Sequence, residues 1–325
     1  MEFLDDMYAL HLVTWNGMRY LKTLLISLQQ QTIAPSVVRI LDNGSTDGTR
    51  EYLQENIRQL FPQVEIQYEE VNHGFAGGHN ILFAKLQEEQ RGEKFVWLVN
   101  QDLYVAKTYA EEVMKTMNEH TDCAAASGVL LQWKNPGELP NTTSVSVDSL
   151  GIVSNKWGKF FERGVGETAV PLHDEEVFGV SGTSPFYRVE HLQQALHPSG
   201  SLFDPTFQSY KEDVELSLRL YEGGFSTWVV SKTHAFHDRS IASHTTRSSR
   251  SLKSRTNSYR NHLSILTLHE LWGVRVLMHE KVKFFYLLMK EPRVLEGFID
   301  FLRLLPTIVS TRREYHNRAK RHYSL

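Results

Sequence analysis

The sequence predicts an α/β protein with a mostly parallel, doubly wound sheet, followed by a helical C-terminal region. Three observations predict it. In the first hundred residues, short apolar runs alternate with segments of helical periodicity, the pattern of strand–helix–strand units. A polar motif follows each of the first four apolar runs. Beyond residue 240 the character changes to basic residues spaced among apolar ones.

The elements follow in order. Residues 8–13 read as a strand, and Leu21, Leu24, Leu25 and Leu28 then recur at helical spacing. Residues 37–41 form a second strand, and 49–60 a helix with Ser45, Thr46 and Asp47 as candidate caps. Residues 64–71 are a third strand, 81–90 a helix, 95–99 a fourth strand and 109–118 a helix. Further on, 124–133 reads as a strand, 135–143 and 168–176 as loops, and 178–187 as a return to the core with Gly182 inside it. A short helix at 190–196 precedes a longer one at 211–221, which Gly223 and Gly224 terminate. Residues 226–236 are a last strand. The Ser-, Thr- and Arg-rich stretch 240–257 reads as a loop or linker, and two or three amphipathic helices follow. The expected division is an α/β domain at 1–240 and a basic, amphipathic helical region at 241–325.

Composition narrows the function classes. The 325 residues are 41% apolar and 22% charged, the balance of a globular enzyme rather than a disordered chain. The single cysteine, Cys123, excludes an intrachain disulfide and argues against a cysteine-based zinc site. No secretory signal and no spanning helix are expected, since apolar runs such as 284–289 are short. The net charge of -3 hides an asymmetry: residues 239–325 carry 17 Lys and Arg against 6 Asp and Glu. A basic tail on an acidic body suits an anionic membrane surface, or docking on the body itself. The apolar residues of the tail equally suit a helical subdomain or a homodimer contact. Nucleic-acid binding is disfavoured because no recognised module appears. No Gly-x-x-x-x-Gly-Lys-Ser/Thr loop is present, and Gly74, Gly77 and Gly78 do not form a dinucleotide fingerprint after the first strand.

Four motifs lie at the carboxyl ends of predicted parallel strands, where open α/β sheets bind ligands. They are Val13-Thr14-Trp15-Asn16-Gly17, the run from Leu41-Asp42-Asn43-Gly44 to Thr49, the run from Asn72-His73-Gly74-Phe75 through Gly77-Gly78 to Asn80, and Val99-Asn100-Gln101-Asp102. Asp42 can accept hydrogen bonds from a base imide or a sugar hydroxyl, and Trp15 offers a stacking face. The glycines would let backbone N–H groups approach a phosphate. Asp102 can bind a hard cation that holds a diphosphate. Alternatively, 42–49 is a turn before a capped helix and 100–102 a helix cap. Glu212 and Asp213 open a helix, either as partners of its dipole or as a general base beside a sugar. His237, at a strand end, is a metal ligand or a polar residue closing the sheet edge.

In this order the motifs resemble family 2 glycosyltransferases of the GT-A fold, closest to their rhamnosyltransferase-like bacterial branch. The resemblance spans residues 8–240 and rests on six elements: the Thr14 to Asn16 loop, the Asp42 to Gly48 turn, the Asn72 to Asn80 run, Asn100 to Asp102, Glu212-Asp213 and His237. It implies that Thr14, Trp15, Asn16 and Asp42 hold the nucleoside of an activated sugar. Asn72, Gly74, Gly78 and Asn80, with Asn100 and Gln101, would line the donor site. Asp102 and His237 would ligate Mg²⁺ or Mn²⁺. Asp213 would be the catalytic base, with Glu212 beside it. The fourth motif carries Asn100 where Asp-x-Asp motifs have an acid, leaving Asp102 as the one carboxylate; the rhamnosyltransferase-like branch accepts Asn there. Gly182, Thr183 and Tyr187 would face the donor sugar and acceptor, and Tyr259-Arg260-Asn261 resembles an Arg-Asn element that follows the catalytic domain in this branch.

The implied activity is inverting, metal-dependent transfer of a hexose, rhamnose among them, from a dTDP- or UDP-sugar to a hydroxyl of a glycan or lipid-linked glycan. That is a step of polysaccharide and cell-envelope assembly, and the expected place is the cytoplasm, at the inner face of the cell membrane. A sugar nucleotidyltransferase is the competing enzyme class, but Thr14 to Arg19 lacks its glycine-rich basic loop. A non-catalytic sugar-nucleotide binder would have lost Asp42, Asp102 and Asp213, all of which are present.

Overall fold

The computed structural model describes residues 7–134, 139–140, 145–238 and 251–325. Most of the 135–143 loop, most of the 240–257 stretch and the N-terminal six residues lie outside them, so the readings of those segments do too. The chain opens with β1 (Tyr8–Thr14), α1 (Met18–Gln29), β2 (Val37–Asn43), α2 (Thr49–Leu60), β3 (Val64–Glu69), α3 (Gly74–Glu89), β4 (Phe95–Val99), β5 (Leu103–Val105), α4 (Tyr109–Glu119) and β6 (Cys123–Gln132). Short strands follow: β7 (Val147–Ser149), β8 (Ile152–Ser154), β9 (Phe160–Glu162), β10 (Glu175–Val177) and β11 (Phe186–Arg188). Then come α5 (Val189–Gln194), α6 (Glu212–Glu222) and β12 (Ser226–His237), and after the gap α7 (Leu252–Leu268), α8 (Val274–Lys290) and α9 (Glu296–Arg318).

The main sheet runs β10-β12-β6-β11-β4-β1-β2-β3, with β5 on β12 and β7 on β6. β4, β1, β2 and β3 pair in parallel, as the alternation with helices requires. β11 lies antiparallel between β4 and β6 and joins this half to the parallel β6–β12 pair. Alternate side chains enter opposite cores. In β4, Phe95, Trp97 and Val99 join α1, α2 and α4 on one face. Val96 and Leu98 join α3, α5 and α6 on the other.

Residues 175–177, partly inside the loop expected at 168–176, form β10 on the edge of the main sheet. Two further elements differ from their sequence reading. The helix expected at 81–90 begins at Gly74, because the glycine-rich motif is its first turns rather than a loop. The linker expected to reach residue 257 ends earlier: α7 starts at Leu252, with the Ser251 hydroxyl accepting from the Ser254 N–H. Three C-terminal helices are present, as the periodicity predicts. They share a core with the preceding region: Ile265, Leu266 and Val276 cluster with Phe207, Val214 and Leu218. The buried Glu215 of α6 receives Arg219 and the Tyr315 hydroxyl (2.9 Å) of α9.

Candidate active site

The ends of β1 and β2 are adjacent, with Thr14 opposite Asp42 in register. The loop after β1 is bound to its neighbours on both sides. Gln101 Oε1 accepts from the Thr14 hydroxyl (2.7 Å) and the Trp15 N–H (2.8 Å), and Gln101 Nε2 donates to the Trp15 carbonyl (3.0 Å). Asn16, at φ 49°, accepts from the Thr46 N–H through Oδ1 and donates its own N–H to Ser45. Gly17 and Met18 donate to Thr49 and Asp47 of the second loop. This network leaves the Trp15 ring half exposed above the edge.

Asp42 is fully buried. Its Oδ2 accepts from Arg50 Nε (3.1 Å), whose guanidinium also meets Glu70 and the face of Tyr68. Its Oδ1 has no hydrogen-bond partner among the described residues. A buried carboxylate oxygen left unpaired costs about 1–3 kcal/mol or more, so this atom is suited to a donor from a bound molecule. Arg50, eight residues on, was not singled out in the sequence; only the helical return of α2 brings it back to Asp42.

The third motif is used for packing. Asn72 Oδ1 accepts from Asn43 Nδ2 (3.0 Å) and the Gly74 N–H (2.7 Å), and the His73 N–H donates to Asn43 Oδ1. The Phe75 and Ala76 amides turn to Ser209 Oγ and the Gln208 carbonyl. The amides of 73–76 are thus already bonded within the protein, and they do not form the phosphate cradle expected of these glycines. A Cβ at Gly78 would lie 2.7 Å from a Val13 methyl, and one at Gly74 would collide with the Gln208 carbonyl. Glycine is there to let α3 close on β1 and on the 208–209 segment. Asn80 faces away from the edge and clamps the backbone of Phe203 through both amide atoms.

Asp102, just before β5, meets His237 at the end of the paired β12, with Asp102 Oδ2 3.4 Å from His237 Nε2. The other imidazole nitrogen, Nδ1, bonds the carboxylate of Asp148 at 2.9 Å. Burial alone would depress the His237 pKa; the Asp102 and Asp148 carboxylates outweigh it and raise it to about 10. Asp148 lies on the three-residue β7, 89 positions from His237, and carries no motif that sequence reading could find. Asn100 donates its N–H to the Thr183 carbonyl, which ties the fourth motif to the loop before β11.

That loop reaches the other candidate. Asp213 Oδ2 accepts from the Gly182 N–H (3.1 Å), and Oδ1 from the Val214 N–H (2.8 Å). Burial raises the Asp213 pKa against these two donors and Lys211. Glu212 is buried with Oε2 unpaired, and burial together with the Asp213 charge lifts it to about 8. A Cβ at Gly182 would stand 3.3 Å from Asp213 Cβ and 3.6 Å from the tip of Phe75, so the first turn of α3 reaches this carboxylate. The residues before the pair are strained: Tyr210 and Lys211 both lie at positive φ, 76° and 70°. Asn261, fully buried on α7, holds them. Its Nδ2 donates to the carbonyls of Tyr210 (2.7 Å) and Ser209 (3.2 Å), while Arg260 donates to the Thr206 carbonyl.

Residues 10–194 match the family model described as Glycosyl transferase family 2. An N-acetylglucosaminyl-diphospho-decaprenol L-rhamnosyltransferase of Mycobacterium tuberculosis is 24% identical over 259 residues, covering 73% of this chain and 77% of that protein. Among solved structures, GalNAc-T7 with UDP, GalNAc and Mn²⁺ superposes with a TM-score of 0.63 at 14% identity, over 84% of this chain and 49% of that one. S. aureus TarS 1–349 superposes with a TM-score of 0.57 at 16% identity, over 96% and 86%.

Proposed function

Because this chain belongs to glycosyl transferase family 2 and shares the GT-A fold of its structural neighbours, we propose that it transfers a hexose, rhamnose foremost, from a dTDP- or UDP-sugar to a hydroxyl of a lipid-linked glycan. The observation that carries the donor site is Asp42 Oδ1, a buried acceptor without a partner at the strand edge that also presents Trp15. A nucleoside supplies what both lack, a hydrogen-bond donor and a flat ring. The lipid-linked acceptor and the rhamnose are taken from the name of the mycobacterial relative, and a lipid-linked acceptor supports the reading of work at a membrane surface. No helix among the described residues is long and apolar enough to cross a membrane.

Asp213 is the base of a single displacement. The acceptor oxygen bonds to the anomeric carbon as the bond to the diphosphate breaks, and the hydroxyl proton passes to an Asp213 oxygen. The configuration inverts. Amide donors from Gly182 and Val214 fix the carboxylate, and burial raises its basicity toward the working pH. Glu212, its pKa lifted to about 8, stays protonated at neutral pH and adds no second negative charge.

Asp102 and His237 are the residues that would hold a divalent ion, which would displace the proton that Asp102 and Asp148 keep on the imidazole; among the described residues no group of three or more ligating side chains is gathered there. Their donor atoms converge within 3.4 Å, and Asp148 orients the imidazole from behind as carboxylates do for metal-bound histidines. These two would hold Mg²⁺ or Mn²⁺, with the diphosphate completing the shell. The chemistry such an ion would supply is charge neutralisation for the departing nucleoside diphosphate.

Calorimetric titration of UDP, dTDP, GDP and CDP, each with Mn²⁺, Mg²⁺ or EDTA, tests the reading. A pyrimidine diphosphate bound only with metal is the expected result. Failure of all four to bind would remove the donor site.

A further inference from the structure

We propose that α8 is the element that docks this enzyme on an anionic phospholipid surface. The inference deepens the reading of a lipid-linked acceptor and starts from the helix itself. α8 has two opposed apolar faces. Val276 and Leu287 point into the protein. Val274, Met278, Val282, Phe285 and Met289, spaced by four, four, three and four residues, form a stripe on the opposite side. Every one of them is exposed, Val282 at 70% and Met289 at 78%. A water-facing helix of an ordinary globular enzyme carries polar residues there.

Charge decides between occupants. At roughly 100° per residue, Arg275 and Lys281 lie on either side of the stripe, each about 60° from its centre. Neither forms an ion pair among the described residues, and Lys290 and Arg293 at the end of the helix form none either. The acids of this region are largely taken: Glu280 by Lys283 and His262, Glu291 by Arg255 and Asp300 by Arg303. An apolar stripe edged by free cations complements an anionic bilayer, into which long basic side chains extend while the stripe enters the acyl boundary. A second copy of this chain would set like charges against each other across the stripe.

The underside of α8 explains why docking serves the reaction. Val276 shares a hydrophobic cluster with Val214, the neighbour of Asp213, so α8 packs on the region that carries the catalytic turn. An acceptor held in the bilayer by its lipid is thereby presented near the base.

The test uses the full chain and sedimentation with vesicles, either of phosphatidylcholine alone or of phosphatidylcholine and phosphatidylglycerol in a two-to-one mixture. Binding to the mixed vesicles, weakened by salt, is expected. The double variant F285D/M289D should lose at least about tenfold in partitioning, and R275E/K281E should lose its preference for the anionic vesicles. Both should keep wild-type melting temperature and wild-type UDP binding, since all four positions are outside the donor site. Absence of vesicle binding by the wild type, or unchanged binding by F285D/M289D, overturns the proposal. So does a dimer in light scattering that F285D/M289D splits, which would assign the stripe to a second copy. Loss of vesicle binding leaves the donor titration untouched, so the failure of this inference and the failure of the transferase reading are separable.

Discussion

Asn261→Ala gives the clearest view of how the C-terminal region serves catalysis. Asn261 is buried on α7, and its side chain holds the turn that carries Glu212 and Asp213. Two consecutive non-glycine residues at positive φ store roughly 2–6 kcal/mol of strain. Against it stand the two hydrogen bonds from Asn261 to the carbonyls of Ser209 and Tyr210, worth about 1 kcal/mol each. Removing them favours a relaxed turn by about 2 kcal/mol, a roughly thirtyfold population change if the bonds alone decide it. Asp213 then leaves its place against the Gly182 amide in most molecules. kcat should fall by about that factor, with UDP affinity unchanged, because Asp42 and Trp15 lie on a different part of the edge. The assay is steady-state release of the nucleoside diphosphate during transfer, beside UDP calorimetry and a thermal melt of the same samples. Asn261→Asp, which keeps the size but removes the donor, should behave like alanine. A kcat within about threefold of wild type, or a loss that tracks UDP affinity, would refute the positioning role.

Three further outcomes follow from the same geometry. Glu212 has its folded pKa lifted to about 8, so between its unfolded value of 4.5 and 8 the folded state holds a proton that the unfolded state has released. Its contribution is complete below 4.5 and is lost as pH rises to 8, by at most about 5 kcal/mol. Glu212→Gln, compared with wild type by urea denaturation, should therefore gain relative stability from pH 5 to pH 8; a constant difference would contradict the shift. Asp148→Asn should weaken Mn²⁺ binding by roughly 10- to 100-fold in a titration followed by paramagnetic relaxation, and an unchanged affinity would remove its orienting role. Gly78→Ala places a methyl 2.7 Å from Val13 and should cost about 1–3 kcal/mol in denaturant unfolding; a neutral result would mean that α3 shifts freely on β1.

Local pattern made the parallel half of the sheet readable. Strands β1 to β4 are short apolar runs between helices whose leucines repeat on one face, and the four motifs after them do lie on one edge. What local pattern could not supply was the partner of each polar side chain. Asn72 and Asn80 resemble ligand-facing residues in sequence, yet their amides are engaged by Asn43 and Phe203, the latter 123 positions away. The start of α3 was hidden because glycines lower helix propensity, and close packing on Val13 and Gln208 overrides that preference. Asp148 sits on a strand of three residues, too short to show periodicity. The role of Arg260-Asn261 needed the fold, which brings α7 back over the 206–210 turn from 51 to 54 positions away.

Asp213 is proposed as the base of a sugar transfer from a nucleotide donor bound along this edge. Asp213→Asn tests it most directly, because the amide keeps the shape and cannot take the proton. Transfer should fall by roughly a hundredfold to ten-thousandfold, while calorimetry returns the wild-type affinity for the nucleoside diphosphate with metal. Near-normal turnover in this variant would contradict the account.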